Sequence, residues 1–555
     1  MPAPLSRFRF TDRLAAFFFI AVSAYGIARS TRLRWMCDDA FISFRYALNL
    51  ARGDGLVFNA GEYVEGFTNL LWTLLLSPFF AIDPDVDITA VAAALGIICY
   101  GLMLLEYFRQ GRKFIRTDNA PQDKTAGSPS WIFWPWTLPA VAAHHHLHVF
   151  ATSGLETPLF TLLITAGVLR LVASRTQAFN DSGAPAASFF KGDRVAFILL
   201  ALACVTRPDG LLIYGLAAIF VALETLRNLH SDTTGQPALR RFFAWVLAEL
   251  RRHAFFGLVV GGSFVFRFFY YGELLPNTFY AKSAHDPYVG QGFYYAGLYF
   301  AAYWVALPLL AVAVFASVRM RDRRGLPALL CCAWIAYVIW VGGDFMFGRF
   351  LVPITPLLYF AGEIALRNLY RKKRPELMPR AWWIAALVVL FATVGRYDPY
   401  RGRPLPVIGY VGEEYKIYTK DGMRQLRETA IATRSTMQAA DPIVAFVGAQ
   451  AALIFYWDIT TAIESQTGLT DRKIARLPLE ERGWIGHEKN APLAYLRERN
   501  VAFILRPPPP ERRANARVME IEGLIGEFEI IKDRPEVMEV LKQDSRFRFQ
   551  TRTKD

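Results

Sequence analysis

The sequence predicts a polytopic α-helical membrane protein with about eleven transmembrane helices and a C-terminal soluble α/β domain, and three observations carry that prediction. Hydrophobic residues make up 54% of the 555 and the mean hydropathy is +0.23, too apolar for a soluble globular chain, while 20% charge is too much for a bare helix bundle. The apolar residues gather into bilayer-length segments up to residue 395, followed by a hydrophilic tail. The Lys and Arg residues behind the net charge of +14 fall in short blocks between the apolar segments. That is the distribution of cytoplasmic loops, and it excludes the continuous basic face that nucleic acid would need.

Taking segments able to cross about 30 Å of hydrocarbon, spans are expected at residues 13–34, 88–107, 131–149, 157–174, 194–206, 211–226, 254–271, 293–318, 326–342, 350–367 and 381–395. Basic blocks then fall at 7–13, 109–116, 170–194, 227–252, 319–324 and 367–380, all on one side. The positive-inside rule makes that side cytoplasmic and puts the N-terminus there. The first apolar segment is read as a span and not a cleaved signal peptide, since many spans follow it. The apolar stretch 70–82 is short and is placed flat at the outer surface. It closes a large first outer loop, residues 35–87, expected to lie on the surface with short helices.

Residues 1–395 thus form the membrane domain and 396–555 an outer, periplasmic domain. Within the tail, β-branched runs at 443–447 and 501–505 follow helical stretches at 424–439 and 493–499, the alternation of a small α/β domain. Pro507–Pro510 reads as an extended polyproline connector. Four of the five cysteines, Cys99, Cys204, Cys331 and Cys332, lie in apolar runs, and Cys37 is also expected to pack. No repeat, zinc spacing or phosphate-binding glycine fingerprint occurs.

With this parity, the polar clusters all face outward. Asp38 and Asp39 follow the first span, and ionisable groups at such a place are candidate site residues. Singly, such residues have structural readings, a carboxylate as a helix cap or an Arg-Pro-Asp-Gly turn as a helix start. Together they suggest chemistry. One of the two aspartates could take a proton from a sugar hydroxyl. Arg207, Lys282 and Arg349, from three loops, offer fixed positive charge to a phosphate, and Asn277, Tyr280 and Trp72 suit sugar hydroxyls and faces. His145 and His146, in the run 144–148, could join an Asp/His set binding a divalent cation such as Mg or Mn.

The stretches Asp38–Tyr46, Gly55–Asn59, Val64–Asn69, Ser153–Pro158, Thr206–Gly210, Pro276–Ser283 and Gly343–Arg349 resemble the GT-C superfamily of integral-membrane glycosyltransferases. Within it they are most similar to the mycobacterial terminal β-(1→2) arabinofuranosyltransferase family. Gly468–Arg476 and Gly486–Lys489 extend the likeness into the tail. The resemblance implies an enzyme of the bacterial cytoplasmic membrane moving a sugar from a polyprenyl-phosphate donor to a cell-envelope glycan or glycolipid acceptor, with arabinose as one such sugar. It implies Asp38 or Asp39 as the catalytic carboxylate and Arg207, Lys282 and Arg349 on the donor phosphate. Arg45, Glu65, Glu156 and Asp344, in the same motifs, join Trp72, Asn277 and Tyr280 as expected substrate contacts. The alternative is a transporter or flippase, but such proteins place charges near the midplane between repeated halves.

Overall fold

The computed structural model describes residues 5–119, 134–178, 187–230, 238–283, 286–318, 322–373, 378–447, 450–506 and 516–551. The polyproline run 507–510 lies outside them. The first helix, α1 (Leu5–Arg32), leads into the loop 35–87, which holds α2 (Ala40–Arg52) and α3 (Leu70–Ile82); α4 (Ile88–Asn119) returns. Then come α5 (Leu138–Ala142), α6 (His145–Ala151), α7 (Thr157–Ala178), α8 (Ala187–Thr206), α9 (Gly210–His230) and α10 (Ala238–Phe256). A π-turn at Gly257–Gly261 joins α10 to α11 (Gly262–Tyr271), and α12 (Asn277–Ala281) follows. The membrane part ends with α13 (Val289–Ala302), α14 (Ala306–Ser317), α15 (Leu326–Val341), α16 (Thr355–Lys373) and α17 (Met378–Val394).

Among the described residues, six helical segments are long and apolar enough to cross a membrane by themselves: 13–32, 88–116, 157–174, 210–227, 239–271 and 323–341. A seventh is counted if α13 and α14, bent by 105° at their junction, form one span. α3, with 13 residues, is about 20 Å long and too short to span.

The stretch expected as a span at 131–149 is not one helix. Pro139 opens α5, and His144 caps α6 by accepting from the Leu147 amide at 3.4 Å. The chain from Trp134 to Ser153 nevertheless runs along α1 and α4. Trp134 stacks on Phe18 at 5.0 Å, Thr137 meets the Tyr107 hydroxyl at 2.6 Å and Ala142 O accepts from Tyr100 at 2.8 Å. Farther on, Val149 O accepts from the Trp35 indole at 2.8 Å and Ser153 O from the Cys37 amide at 2.9 Å. The break in the helix is tolerated because protein groups satisfy its backbone.

Buried ion pairs collect at one end of the bundle. Arg323 meets Asp193 at 2.7 Å and Glu224 at 2.5 Å, and Arg367 meets Glu363 at 2.8 Å. The C-terminal region covers the opposite end. It begins with a two-strand ribbon, β1 (Val407–Ile408) and β2 (Val411–Gly412), then α18 (Glu414–Ile417) and α19 (Lys420–Ala440). A six-stranded mixed sheet follows, in the order β4-β3-β5-β7-β6-β8. Strand β3 (Ile443–Phe446) pairs in parallel with β4 (Ala462–Glu464) and β5 (Val501–Arg506). Strands β6 (Arg517–Ile521), β7 (Glu527–Ile530) and β8 (Phe547–Thr551) add antiparallel. The helices α20 (Ala451–Trp457), α21 (Arg472–Ala475), α22 (Leu493–Glu498) and α23 (Pro535–Lys542) complete it.

The loop 35–87, expected to lie on the surface, does not do so. Helix α2 is mostly buried, because its aromatic face meets α20: Phe41 and Phe44 pack on Phe455 at 5.5 and 6.2 Å. Arg45 extends the contact by donating to the carbonyls of Ile459 and Thr460 at 2.7 and 3.1 Å.

Candidate active site

Where α1 ends, the bonds from Trp35 and Cys37 to the Val149–Ser153 segment hold the two aspartates at the covered end of the bundle. Gly154 lets them approach: at φ +81° an added Cβ would lie 2.4 Å from Met36 Sδ and 2.9 Å from Ala40 Cβ. The aspartates then diverge. Asp38 is buried, and its carboxylate accepts from the amides of Ala451 and Ala452 at 2.8 and 2.9 Å, fastening the start of α20. Burial pushes its carboxyl up to about 7 against the pull of those two amides. Asp39 stands at the N-terminus of α2, half-buried, and makes no side-chain hydrogen bond among the described residues. Its charge acts on Lys282, Arg349 and Glu414.

Three loops supply the cations around it. Glu156 joins two of them, its Oε1 lying 3.3 Å from Arg207 Nη1 and 3.3 Å from Arg349 Nη2, with Asn69 donating to Oε2 at 3.1 Å. Burial alone would raise the Glu156 carboxyl, but Arg349 and Arg207 hold it below its ordinary value. Arg207 also pairs with Asp209 at 2.6 Å and lies over the Phe350 ring at 4.8 Å. Arg349 reaches Asp344 at 3.5 Å, while its own Nε is buried without a partner. Lys282 makes no ion pair among the described residues. Burial lowers its ammonium, which feels Asp344 and Asp39 against Arg349 and Arg207.

The structure therefore brings together Asp39, Glu156, Arg207, Lys282, Asp344 and Arg349. Four other expected contacts are occupied by the fold. Trp72 is buried and donates to Gly154 O at 2.9 Å. Arg45 spans carbonyls of the first loop and of the C-terminal region. Glu65 pairs with Arg267, and Asn277 donates to the carbonyls of Gly468 and Leu469 at 2.7 and 3.0 Å. Tyr280 is half-buried with Arg476 over its ring at 4.5 Å.

One acid in this neighbourhood had no sequence signal. Glu414 lies just after β2, whose Gly412 donates to Phe345 O at 2.7 Å and accepts from the Phe347 amide at 2.8 Å. These two bonds pin the 343–349 loop to the C-terminal region and leave Glu413 and Glu414 facing different neighbours. Glu413 meets His146 Nε2 at 3.2 Å and pairs with Arg396 and Lys416. Glu414, buried, feels Asp39, Asp344, Asp38 and Arg349.

Among the described residues, His145, His146 and Glu413 form the group whose donor atoms, within 4.8 Å of one another, could hold a metal. The distances suit a cation, but the charge does not. Arg396 and Lys416 already neutralise Glu413, and His145 and His146 are bonded to the Tyr415 and Tyr303 hydroxyls at 3.2 and 2.6 Å. His144 and His148 point to other partners, the Leu147 amide and Ala142 O.

No family model matches the chain. Over 395 residues it is 26% identical to a terminal β-(1→2)-arabinofuranosyltransferase of Corynebacterium glutamicum, covering 65% of this chain and 51% of that protein. Over 368 residues it is 29% identical to the protein of the same name from Mycobacterium tuberculosis, covering 61% and 53%. The chain spans about half the length of the curated relatives it matches. The crystal structure of ArnT from Cupriavidus metallidurans bound to undecaprenyl phosphate superposes with a TM-score of 0.52 at 13% identity, over 82% of this chain and 87% of that one. The chain has the GT-C fold. The resemblance read from the motifs thus holds for the GT-C architecture and for the relatives. The candidate cluster lies at the covered end of the bundle, between the loop 35–87 and the C-terminal region.

Proposed function

We propose that this GT-C chain is a glycosyltransferase of the bacterial cytoplasmic membrane. It takes a sugar, a pentofuranose such as arabinose, from a polyprenyl-phosphate donor to a cell-envelope glycan or glycolipid. The observation that carries this reading is the Asp39 carboxylate, free of hydrogen bonds among the described residues, beside the unpaired Lys282 ammonium and the Arg349–Glu156–Arg207 group. Asp39 accepts the proton of the acceptor hydroxyl as its oxygen bonds to the anomeric carbon. The bond from that carbon to the phosphate oxygen breaks, and the polyprenyl phosphate leaves with the electron pair. Lys282 and Arg349, backed by Arg207, stabilise that charge. No step passes through the histidine cluster.

In this reading residues 1–395 are the membrane domain and 396–555 lie outside. Eleven crossings are supported by the way the bundle's two ends differ. The Arg323 and Arg367 ion pairs mark the cytoplasmic end, and the broken stretch 134–153 runs between the ends as a crossing. A transporter is not favoured, because the candidate carboxylates and cations gather at one covered end of the bundle.

The test is transfer by purified protein from decaprenyl-phosphoryl-arabinose to a synthetic arabinan, read by mass spectrometry. A labelled acceptor that gains one pentose supports the reading. Uptake of the lipid-linked sugar into proteoliposomes without transfer would replace it with the transporter.

A further inference from the structure

The C-terminal motif 486–489 takes no part in the proposed reaction, yet it lies against residues that do. Trp484, Ile485, Gly486 and His487 form a tight turn, with the His487 amide donating to Trp484 O at 2.8 Å. Gly486 takes φ +75° as the third residue, the geometry of a type II turn that glycine favours. A Cβ added there would lie 3.5 Å from Lys282 Cε, so the backbone of the turn rests on the Lys282 stem. The turn also meets the loop that carries Asp344 and Arg349. Ile485 Cδ1 would be 3.0 Å from a Cβ added at Gly342, and the His487 ring stands nearly perpendicular to that of Phe345, their centres 4.8 Å apart. Its base is tied down. Glu488 accepts from the Gly483 amide at 3.0 Å and pairs with Arg482 at 3.2 Å, and Lys489 donates at 2.7 Å to the carbonyl of Tyr280, in the segment that carries Lys282.

Two side chains of this turn keep unused polar atoms. His487 is half-buried, and its Nδ1 lies 3.4 Å from Ile485 O, which favours the tautomer protonated there and leaves Nε2 free to accept among the described residues. Trp484 is also half-buried, its ring centre 6.4 Å from that of His487, and its indole N–H makes no hydrogen bond among the described residues. An aromatic face beside one free donor and one free acceptor is suited to a sugar ring and its hydroxyls.

Resting on the glycosyltransferase reading, we propose that the Trp484–His487 turn is a sugar subsite of the candidate active site, supplied by the C-terminal region. His487 Nε2 accepts from a sugar hydroxyl, and Trp484 covers an apolar face of the ring. The sugar is one of the two that react, the pentose of the donor or the terminal residue of the acceptor. Lys282 meets the donor phosphate, and a turn seated on its stem lies where the sugars next to that phosphate come together. Loss of the turn's side chains therefore costs recognition of sugar and not of lipid phosphate.

Binding is measured on the full chain in nanodiscs with decaprenyl-phosphoryl-arabinose and with decaprenyl phosphate, which lacks the sugar. Transfer to a synthetic arabinan gives the acceptor KM. His487→Ala and Trp484→Leu are each expected to lose about 5- to 10-fold, the worth of one hydrogen bond or aromatic contact. The loss falls on affinity for decaprenyl-phosphoryl-arabinose where the donor's pentose occupies the turn, and on KM for arabinan where the acceptor does. Affinity for decaprenyl phosphate should stay at the wild-type value in both variants. His487→Gln, whose amide oxygen still accepts, should recover part of the loss. Wild-type values for both sugars in His487→Ala and Trp484→Leu would overturn the subsite. So would an equal loss of decaprenyl phosphate, because the turn would then act only through the position of Lys282. A wild type that neither binds these lipids nor transfers pentose would instead overturn the donor reading itself.

Discussion

Asp38 and Asp39 are adjacent, yet Asp38 is bonded to the amides of Ala451 and Ala452 at 2.8 and 2.9 Å while Asp39 is left free toward Lys282 and Arg349. One fastens the C-terminal region, and the other is the proton acceptor of the proposed reaction. Asp39→Asn should therefore lower turnover about 10²-fold or more with unchanged thermal unfolding. Asp38→Asn should do the reverse in kind, lowering the unfolding temperature, because an amide oxygen cannot serve both backbone donors as a carboxylate does. Wild-type turnover in Asp39→Asn would remove it from the mechanism.

Arg349 is the cation shared by Glu156 and Asp344. Arg349→Ala is expected to weaken donor binding by about 1.5 to 3 kcal/mol, the worth of a charge-assisted hydrogen bond. Arg349→Lys should recover part of that, since an ammonium cannot make a two-pronged contact. Isothermal titration with the three forms checks this, and equal affinities would place the donor phosphate elsewhere.

Arg45 donates to Phe58 O at 2.7 Å as well as to Ile459 and Thr460. Arg45→Met should cost about 2 to 4 kcal/mol of stability by leaving several buried carbonyls unmet. Donor affinity should be unchanged. A weaker donor with normal unfolding would instead restore Arg45 to the binding site that its motif suggested.

The proposed topology predicts which cysteines an impermeant reagent reaches in intact spheroplasts. Single cysteines at the exposed positions Asp54, Ala60 and Arg401 should be labelled from outside. Cysteines placed between residues 367 and 380 should react only after permeabilisation. External labelling of that basic block would reverse the orientation.

Local pattern showed in the sequence, and long-range pairing did not. The β-branched runs from Ile443 and Val501 became β3 and β5 because strand formation there follows from residue type and burial. Asp38, Asp39, Arg207, Lys282 and Arg349 could be nominated because charge in a mostly apolar chain is conspicuous, and Glu156 and Asp344 came with the motif resemblance. The choice between Asp38 and Asp39 could not be made, since it depends on amides more than 400 residues away. Trp72 and Asn277 have the chemistry of sugar contacts, and only their partners, Gly154 and Gly468, show that they hold loops together. The break between α5 and α6 was hidden for a related reason: hydropathy records how apolar a stretch is, not whether neighbouring helices satisfy its backbone.

The pinning of the 343–349 loop to Gly412 has a thermodynamic consequence. A displacement of the C-terminal region carries the 343–349 loop and its Arg349 with it, so under the proposed function an acceptor that shifts this region is expected to change the donor's affinity as well. By reciprocity, the donor must then change acceptor affinity by the same factor. Saturating acceptor would shift the donor dissociation constant, and replacing Phe347 by Pro, which removes the amide that Gly412 O receives, should shrink that mutual factor toward unity.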